Sequence, residues 1–133
     1  MNKTILFVDD DADDRDILAD VLEIVNPKVN AVFAENGLKA IEYLSDKMES
    51  SQLPCLIVLD LNMPFLDGKE TFKKIRNELN LSSIPVIIFT SSHNPNDQIL
   101  FRSLGIEFIT KPDDFSRLNK IVDHMVSVCG DNC

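Results

Sequence analysis

Apolar and polar positions follow two rhythms along this chain. Five short runs are almost wholly apolar: ILFV (5–8), VNAVF (29–33), CLIVL (55–59), PVIIF (85–89) and IEFI (106–109). They are rich in Val, Ile and Phe, the pattern of parallel strands covered on both faces. Between them, apolar residues recur at helical spacing. Ile17, Val21 and Ile24 mark a first stripe, flanked by Leu18, Leu22 and Val25. Leu38, Ile41, Leu44 and Met48 mark a second, and Phe72, Ile75 and Leu79 a third. Ile99, Leu100 and Leu104 mark a short fourth; Leu118, Ile121, Val122 and Met125 mark a fifth that ends near Val128. Pro27 closes the first helix, Asn36-Gly37 opens the second, Gly68 precedes the third and Gly105 closes the fourth. Five βα units predict an α/β domain with a parallel sheet. Right-handed crossovers make it doubly wound.

The 133 residues form one domain with room for a real core. A net charge of -9 argues against nucleic acid and against an anionic membrane surface. A basic partner or a bound cation fits better. No apolar run approaches the roughly 20 residues of a membrane helix. The N-terminal run MNKTILFVDD reaches aspartates too soon for a signal peptide. A cytoplasmic protein is expected. Of the three cysteines, Cys55 reads as a buried thiol, and Cys129 and Cys133 as part of a frayed tail.

Ligands of open α/β sheets bind beyond the carboxyl ends of the strands. After the first run stand Asp9, Asp10 and Asp11; after the third, Asp60; after the fourth, Thr90, Ser91 and Ser92; after the fifth, Thr110, Lys111 and Pro112. If the first and third strands are neighbours, about 4.8 Å apart, Asp60 stands beside Asp9 and Asp10. Carboxylates gathered without His or Cys are hard oxygen donors that suit Mg²⁺ or Mn²⁺. Asp13, Asp14 and Asp16 are assigned to the first turn of the first helix, where acids complement the dipole, with Asp13 as a candidate cap. An EF-hand-like loop is a weak alternative: Asp9, Asp11, Asp13 and Asp20 fall at suitable spacing, but Asp14 stands where that loop needs Gly.

A carboxylate beside a divalent cation, a lysine and a hydroxyl is the constellation for phosphoryl transfer to aspartate. Asp60 would accept, Lys111 would supply a point charge to a phosphoryl oxygen, and Thr90 or Ser91 would donate a hydrogen bond.

The segments FVDDD (7–11), VLDLNMPFLDG (58–68), FTSS (89–92) and FITKP (108–112) together resemble the bacterial response-regulator receiver domain, of CheY-like (flavodoxin-like) fold. The resemblance covers residues 3–128 and leaves 129–133 as a short tail. It implies a five-stranded sheet of order 2-1-3-4-5 with five helices. It implies that Asp60 is the phospho-acceptor, that Asp10, Asp60 and the Asn62 backbone carbonyl ligate Mg²⁺ or Mn²⁺ with Asp9 helping through water, and that Lys111 binds phosphate. Asp10 and Asp11 remain an alternative acidic pair, though counting from the strand favours Asp9 and Asp10. Thr90 becomes the switch hydroxyl and Phe108 the switch aromatic, here without a hydroxyl. Gly68 matches a turn glycine, and a cis Lys111–Pro112 bond is implied. The donor would be a histidine kinase or phosphotransfer protein. The readout would be docking or relay through the face of helix four, strand five and helix five, including Ile99, Phe101, Phe108 and Arg117, with Phe65 and Phe101 as candidate contacts. The protein would be a monomer or a phosphorylation-dependent dimer, and not an enzyme beyond its own phosphorylation and dephosphorylation.

Three other readings compete. A haloacid-dehalogenase-like phosphatase needs an acid where Asn62 stands. A flavodoxin-like cofactor binder would have its phosphate repelled by the acidic first loop. A phosphate-independent receiver would bind partners without modification.

Overall fold

A computed structural model describes residues 3–131. The strands are β1 (Lys3–Val8), β2 (Val29–Ala34), β3 (Leu56–Leu59), β4 (Val86–Thr90) and β5 (Glu107–Thr110). The helices are α1 (Ala12–Val25), α2 (Gly37–Ser50), α3 (Gly68–Lys73), α4 (Pro95–Ser103) and α5 (Leu118–Asp131). A π-helical stretch, Lys74–Glu78, continues α3. The strands form one parallel sheet of order β2-β1-β3-β4-β5. This is the expected doubly wound fold.

The unbroken apolar runs explain the central strands. Alternate side chains leave opposite faces of a strand. Leu6, Val8, Ile57, Leu59 and Ile88 pack towards Ala40, Leu44, Phe72, Ile75 and Phe101 of the α2, α3 and α4 layer. Ile5, Phe7, Leu56, Val58, Ile87 and Phe89 pack towards Leu18, Leu22, Leu118, Val122 and Met125 of the α1 and α5 layer. Each such side chain, fully buried, contributes roughly 1.5–3 kcal/mol. Because all strands run the same way, their carboxyl ends share one rim.

Several local expectations change. In α1 the inner line is Leu18 and Leu22, whereas Ile24 is 72% exposed. In α2 Ala40 and Leu44 face inward, while Leu38 and Met48 are exposed. The difference is sharpest in α4. Its expected apolar stripe, Ile99, Leu100 and Leu104, faces outward, and Phe101 and Asp97 turn in. Phe101 is 1% exposed, so it is a core residue and not a surface contact; its ring meets Phe72 edge-on at 5.4 Å. A short helix with apolar residues all round offers several faces, and the cavity beneath it selects the one with the large ring.

α5 continues past Val128 to Asp131. Cys129 is fully buried there and is paired in a disulfide with Cys55. Cys129 is therefore neither frayed nor a tail residue, and Cys55 is half-buried and bonded rather than a buried thiol. Residues 74 apart in sequence carry no local sign that they meet. Cys133 lies outside the described residues. No cis peptide bond occurs among the described residues, so Lys111–Pro112 is trans, contrary to what the resemblance implied. An X–Pro bond separates the isomers by only about 0.5–1 kcal/mol, so the dipeptide does not choose.

Candidate metal and phosphoryl site

The strand ladders carry two aspartates to the carboxyl rim and hold them there. The Asp9 N–H donates to the Ala34 carbonyl at 3.0 Å, and the Asp60 N–H donates to the Val8 carbonyl at 3.0 Å. Both side chains are buried, Asp9 at 3% and Asp60 at 5% exposure. Asp10, next along the loop, is exposed. Carboxylate oxygens of Asp9, Asp10 and Asp60 all lie within 4.8 Å of one another.

Asp11 has a different job. Its side chain accepts hydrogen bonds from Asp13 N–H at 2.9 Å and Asp14 N–H at 3.2 Å. It is the α1 cap, the role expected of Asp13, and this separates it from the acidic pair. Asp13 and Asp20 lie within α1, which also removes the EF-hand-like reading.

Lys111 closes the site from β5. Its Nζ lies 2.7 Å from Asp9 Oδ2, 2.8 Å from Asp14 Oδ2 and 3.2 Å from Asp60 Oδ2. Burial lowers the Lys111 pKa, but hydrogen bonds to Asp14 and Asp9 and the charges of Asp60 and Asp9 outweigh it, leaving the pKa above its ordinary value. Burial is also the largest influence on Asp9 and raises its pKa, against the opposing hydrogen bonds from Lys111 and the Asp11 N–H. Asp14 is the site member that sequence reasoning missed as such. The helix dipole accounts for an acid there, but the signal available was its place in the first turn of the helix that leaves the Asp9–Asp10 loop.

Thr90 ends β4 fully buried. Its carbonyl accepts the Lys111 N–H at 2.8 Å, and its hydroxyl accepts the Ser92 N–H at 3.3 Å. Thr90 thus borders the carboxylate cluster without joining it. Asn62, exposed in the loop after β3, donates its N–H to Asp60 Oδ1 at 3.3 Å. Gly68 packs against the same loop: a Cβ there would stand 2.2 Å from the Asp60 carbonyl oxygen and 2.6 Å from Leu61 Cα. Close approach, not an unusual φ, requires glycine. Phe65 in this loop is 85% exposed with φ 67°, a left-handed conformation uncommon for a bulky residue. Phe108 is half-buried, its ring centroid 6.3 Å from that of Phe101, inside the α4 side of the core.

A second polar group lies just behind. The buried Asp97 of α4 accepts from Ser92 Oγ at 3.4 Å and pairs with Lys69 of α3 at 2.5 Å. It joins the loop after β4 to the start of α3.

Hard oxygen donors from three carboxylates, two of them buried, fit a divalent cation of the Mg²⁺ or Mn²⁺ kind. Lys111 supplies one positive charge against Asp9, Asp14 and Asp60, so a cation would relieve remaining repulsion.

This fold and this site define an acidic pocket at the rim of a doubly wound sheet, and comparison with known proteins supplies the class. The model of the response regulator receiver domain matches residues 5–123, and the chain belongs to that family. It is 34% identical over 128 residues to the response regulator Rcp1 of Synechocystis, covering 94% of this chain and 87% of that one. Among solved structures, the phosphorylated cyanobacterial phytochrome response regulator RcpA is similar with a TM-score of 0.86 at 28% identity, covering 100% of this chain and 97% of that one. The Mn²⁺-bound form of Rcp1 has a TM-score of 0.82 at 34% identity, with 94% and 92% covered. Family membership displaces the phosphatase and flavodoxin-like readings. No helix among the described residues is long and apolar enough to cross a membrane.

Proposed function

We propose that this receiver is a phosphorylation switch in which Asp60 accepts a phosphoryl group from a phosphohistidine of a histidine kinase or phosphotransfer protein. An Asp60 carboxylate oxygen attacks phosphorus, the P–N bond breaks, imidazole leaves, and an acyl phosphate forms. Asp9, Asp10 and Asp60, with the Asn62 carbonyl, would hold Mg²⁺ or Mn²⁺, which neutralises charge on the phosphoryl oxygens. Lys111, already in contact with Asp60, exchanges a carboxylate for a phosphoryl oxygen. The Thr90 hydroxyl turns from the Ser92 N–H to donate to the new anion. The phosphoryl group adds about one and a half to two negative charges, by analogy with phosphorylated hydroxyls, enough to draw that loop inward. Phe108 then repacks beside Phe101 and carries the change to the surface of α4, β5 and α5, where Ile99 and Arg117 are exposed. The similar RcpA structure is of a phosphorylated form and the similar Rcp1 structure of a Mn²⁺-bound form, and both support the reading.

The carrying observation is the convergence of Asp9, Asp10, Asp60 and Lys111 from three loops on one point. The functional unit is taken as residues 3–128, although α5 runs three residues further, to Asp131. The reading places the protein in the cytoplasm, as a monomer or phosphorylation-dependent dimer, acting by docking or relay. The test is intact-mass measurement after incubation with acetyl phosphate and Mg²⁺. Wild type should gain one phosphoryl group and Asp60→Asn none. A wild type that binds Mg²⁺ yet stays unmodified by small donors and by kinases would make the chain a phosphate-independent receiver.

A further inference from the structure

We propose that Cys55 and Cys129 are a site of reversible thiol oxidation, with hydroperoxides as oxidant and dithiols as reductant. The pair joins the residue before β3 to the last turns of α5, at the pole opposite the acidic site. Its Cα atoms are 5.0 Å apart, within the range that a disulfide spans without backbone movement.

What makes the site reversible is that the dithiol also fits. The Cys55 N–H is fixed on the Thr4 carbonyl at 2.9 Å, and Cys55 Sγ lies 3.2 Å from the same oxygen. A reduced Cys55 therefore has an acceptor in place for its S–H. Cys129 sits among Ile5, Leu56, Val122 and Met125, where a thiol behaves as a small apolar group. The end of α5 is held independently of the sulfurs, because Lys3 Nζ donates to the Cys129 carbonyl at 3.3 Å and the Gly130 carbonyl at 3.2 Å. A domain of this size, with a core on both faces of the sheet, does not need a covalent staple to fold.

Exposure sets the order of events. Cys55 is half-buried and Cys129 fully buried. The Cys55 thiolate attacks a peroxide oxygen; the O–O bond breaks, an alcohol or water leaves, and a sulfenic acid forms. The Cys129 sulfur attacks that of Cys55; the S–S bond forms, the S–O bond breaks, and the hydroxyl departs as water with the Cys129 proton. Two electrons pass from the thiols to the peroxide. A dithiol reverses the change by two exchange steps and is itself oxidised to a disulfide. The bond, once made, braces α5 against the strand whose other end leads to Asp60.

The experiment uses the full native chain and no phosphoryl chemistry, so it stands or falls apart from the function proposed above. The chain is reduced, exposed to hydrogen peroxide, alkylated and peptide-mapped without reduction. Of the three cysteines, only Cys133 should then be alkylated, with Cys55 linked to Cys129; native treatment with dithiothreitol should restore alkylation of all three. Cys55→Ser should leave both remaining cysteines open to alkylation after peroxide. Three alkylated cysteines after oxidation, a link through Cys133, or a Cys55–Cys129 bond that native dithiothreitol does not open would each overturn the proposal, and none of these depends on the variant folding.

Discussion

Lys111 and Asp9, 102 residues apart, meet at 2.7 Å, and this contact ties the end of β5 to the end of β1 across the two strands, β3 and β4, that lie between them in the sheet. Lys111→Met strips a buried cation from Asp9, Asp14 and Asp60. Without divalent ions the loss should be about 3–5 kcal/mol in urea denaturation, the usual cost of breaking a buried pair. Saturating Mg²⁺ should stabilise the variant itself by about 2.7 kcal/mol at a hundredfold excess over its Kd. A variant as stable as wild type in EDTA would show that the carboxylates do not need the lysine.

Gly68→Ala tests the close approach to Asp60. The added Cβ meets backbone, which cannot rotate aside, at 2.2 Å from the Asp60 carbonyl oxygen. Destabilisation of about 1–3 kcal/mol is expected from such overpacking. The rate of phosphoryl gain from acetyl phosphate should fall as well, since the displaced backbone is that of Asp60, the proposed acceptor.

Lys69 and Asp97 offer a double-mutant cycle with Lys69→Met and Asp97→Asn. Their coupling energy should be about 0.5–3 kcal/mol by urea denaturation at neutral pH. The hydrogen bond to Asp97 is the main cause that raises the Lys69 pKa above 10.5. A base raised on folding stabilises fully below its unfolded pKa and loses that stability as pH rises through the folded one. The coupling should therefore hold at neutral pH and fade only above 10.5.

Two apolar residues of α4 should behave oppositely. Phe101→Ala empties a site packed against Phe72 and Phe108 and should cost about 3–5 kcal/mol. Ile99→Ser, at a position 66% exposed, should change stability by no more than about 0.5 kcal/mol. Equal effects in thermal or urea unfolding would contradict the assigned orientation of the helix.

Periodicity by itself determined that this is a five-unit α/β chain. Runs such as ILFV and LIVL stay apolar because both faces of a central strand are covered, and that demand is written locally. Once the strands are parallel, residues at their ends share a rim, so position alone points to Asp9, Asp10, Asp60, Thr90 and Lys111. The sheet order, by contrast, came from resemblance. Only the tertiary structure decided which face of α4 turns inward, that Asp11 caps α1, that Asp14 reaches Lys111, that Cys55 finds Cys129 and that Lys111–Pro112 is trans. The Asp11 cap is a choice between neighbouring aspartates, made on the N–H groups of Asp13 and Asp14; the others are settled by partners far away in the chain, and no window of sequence contains those partners.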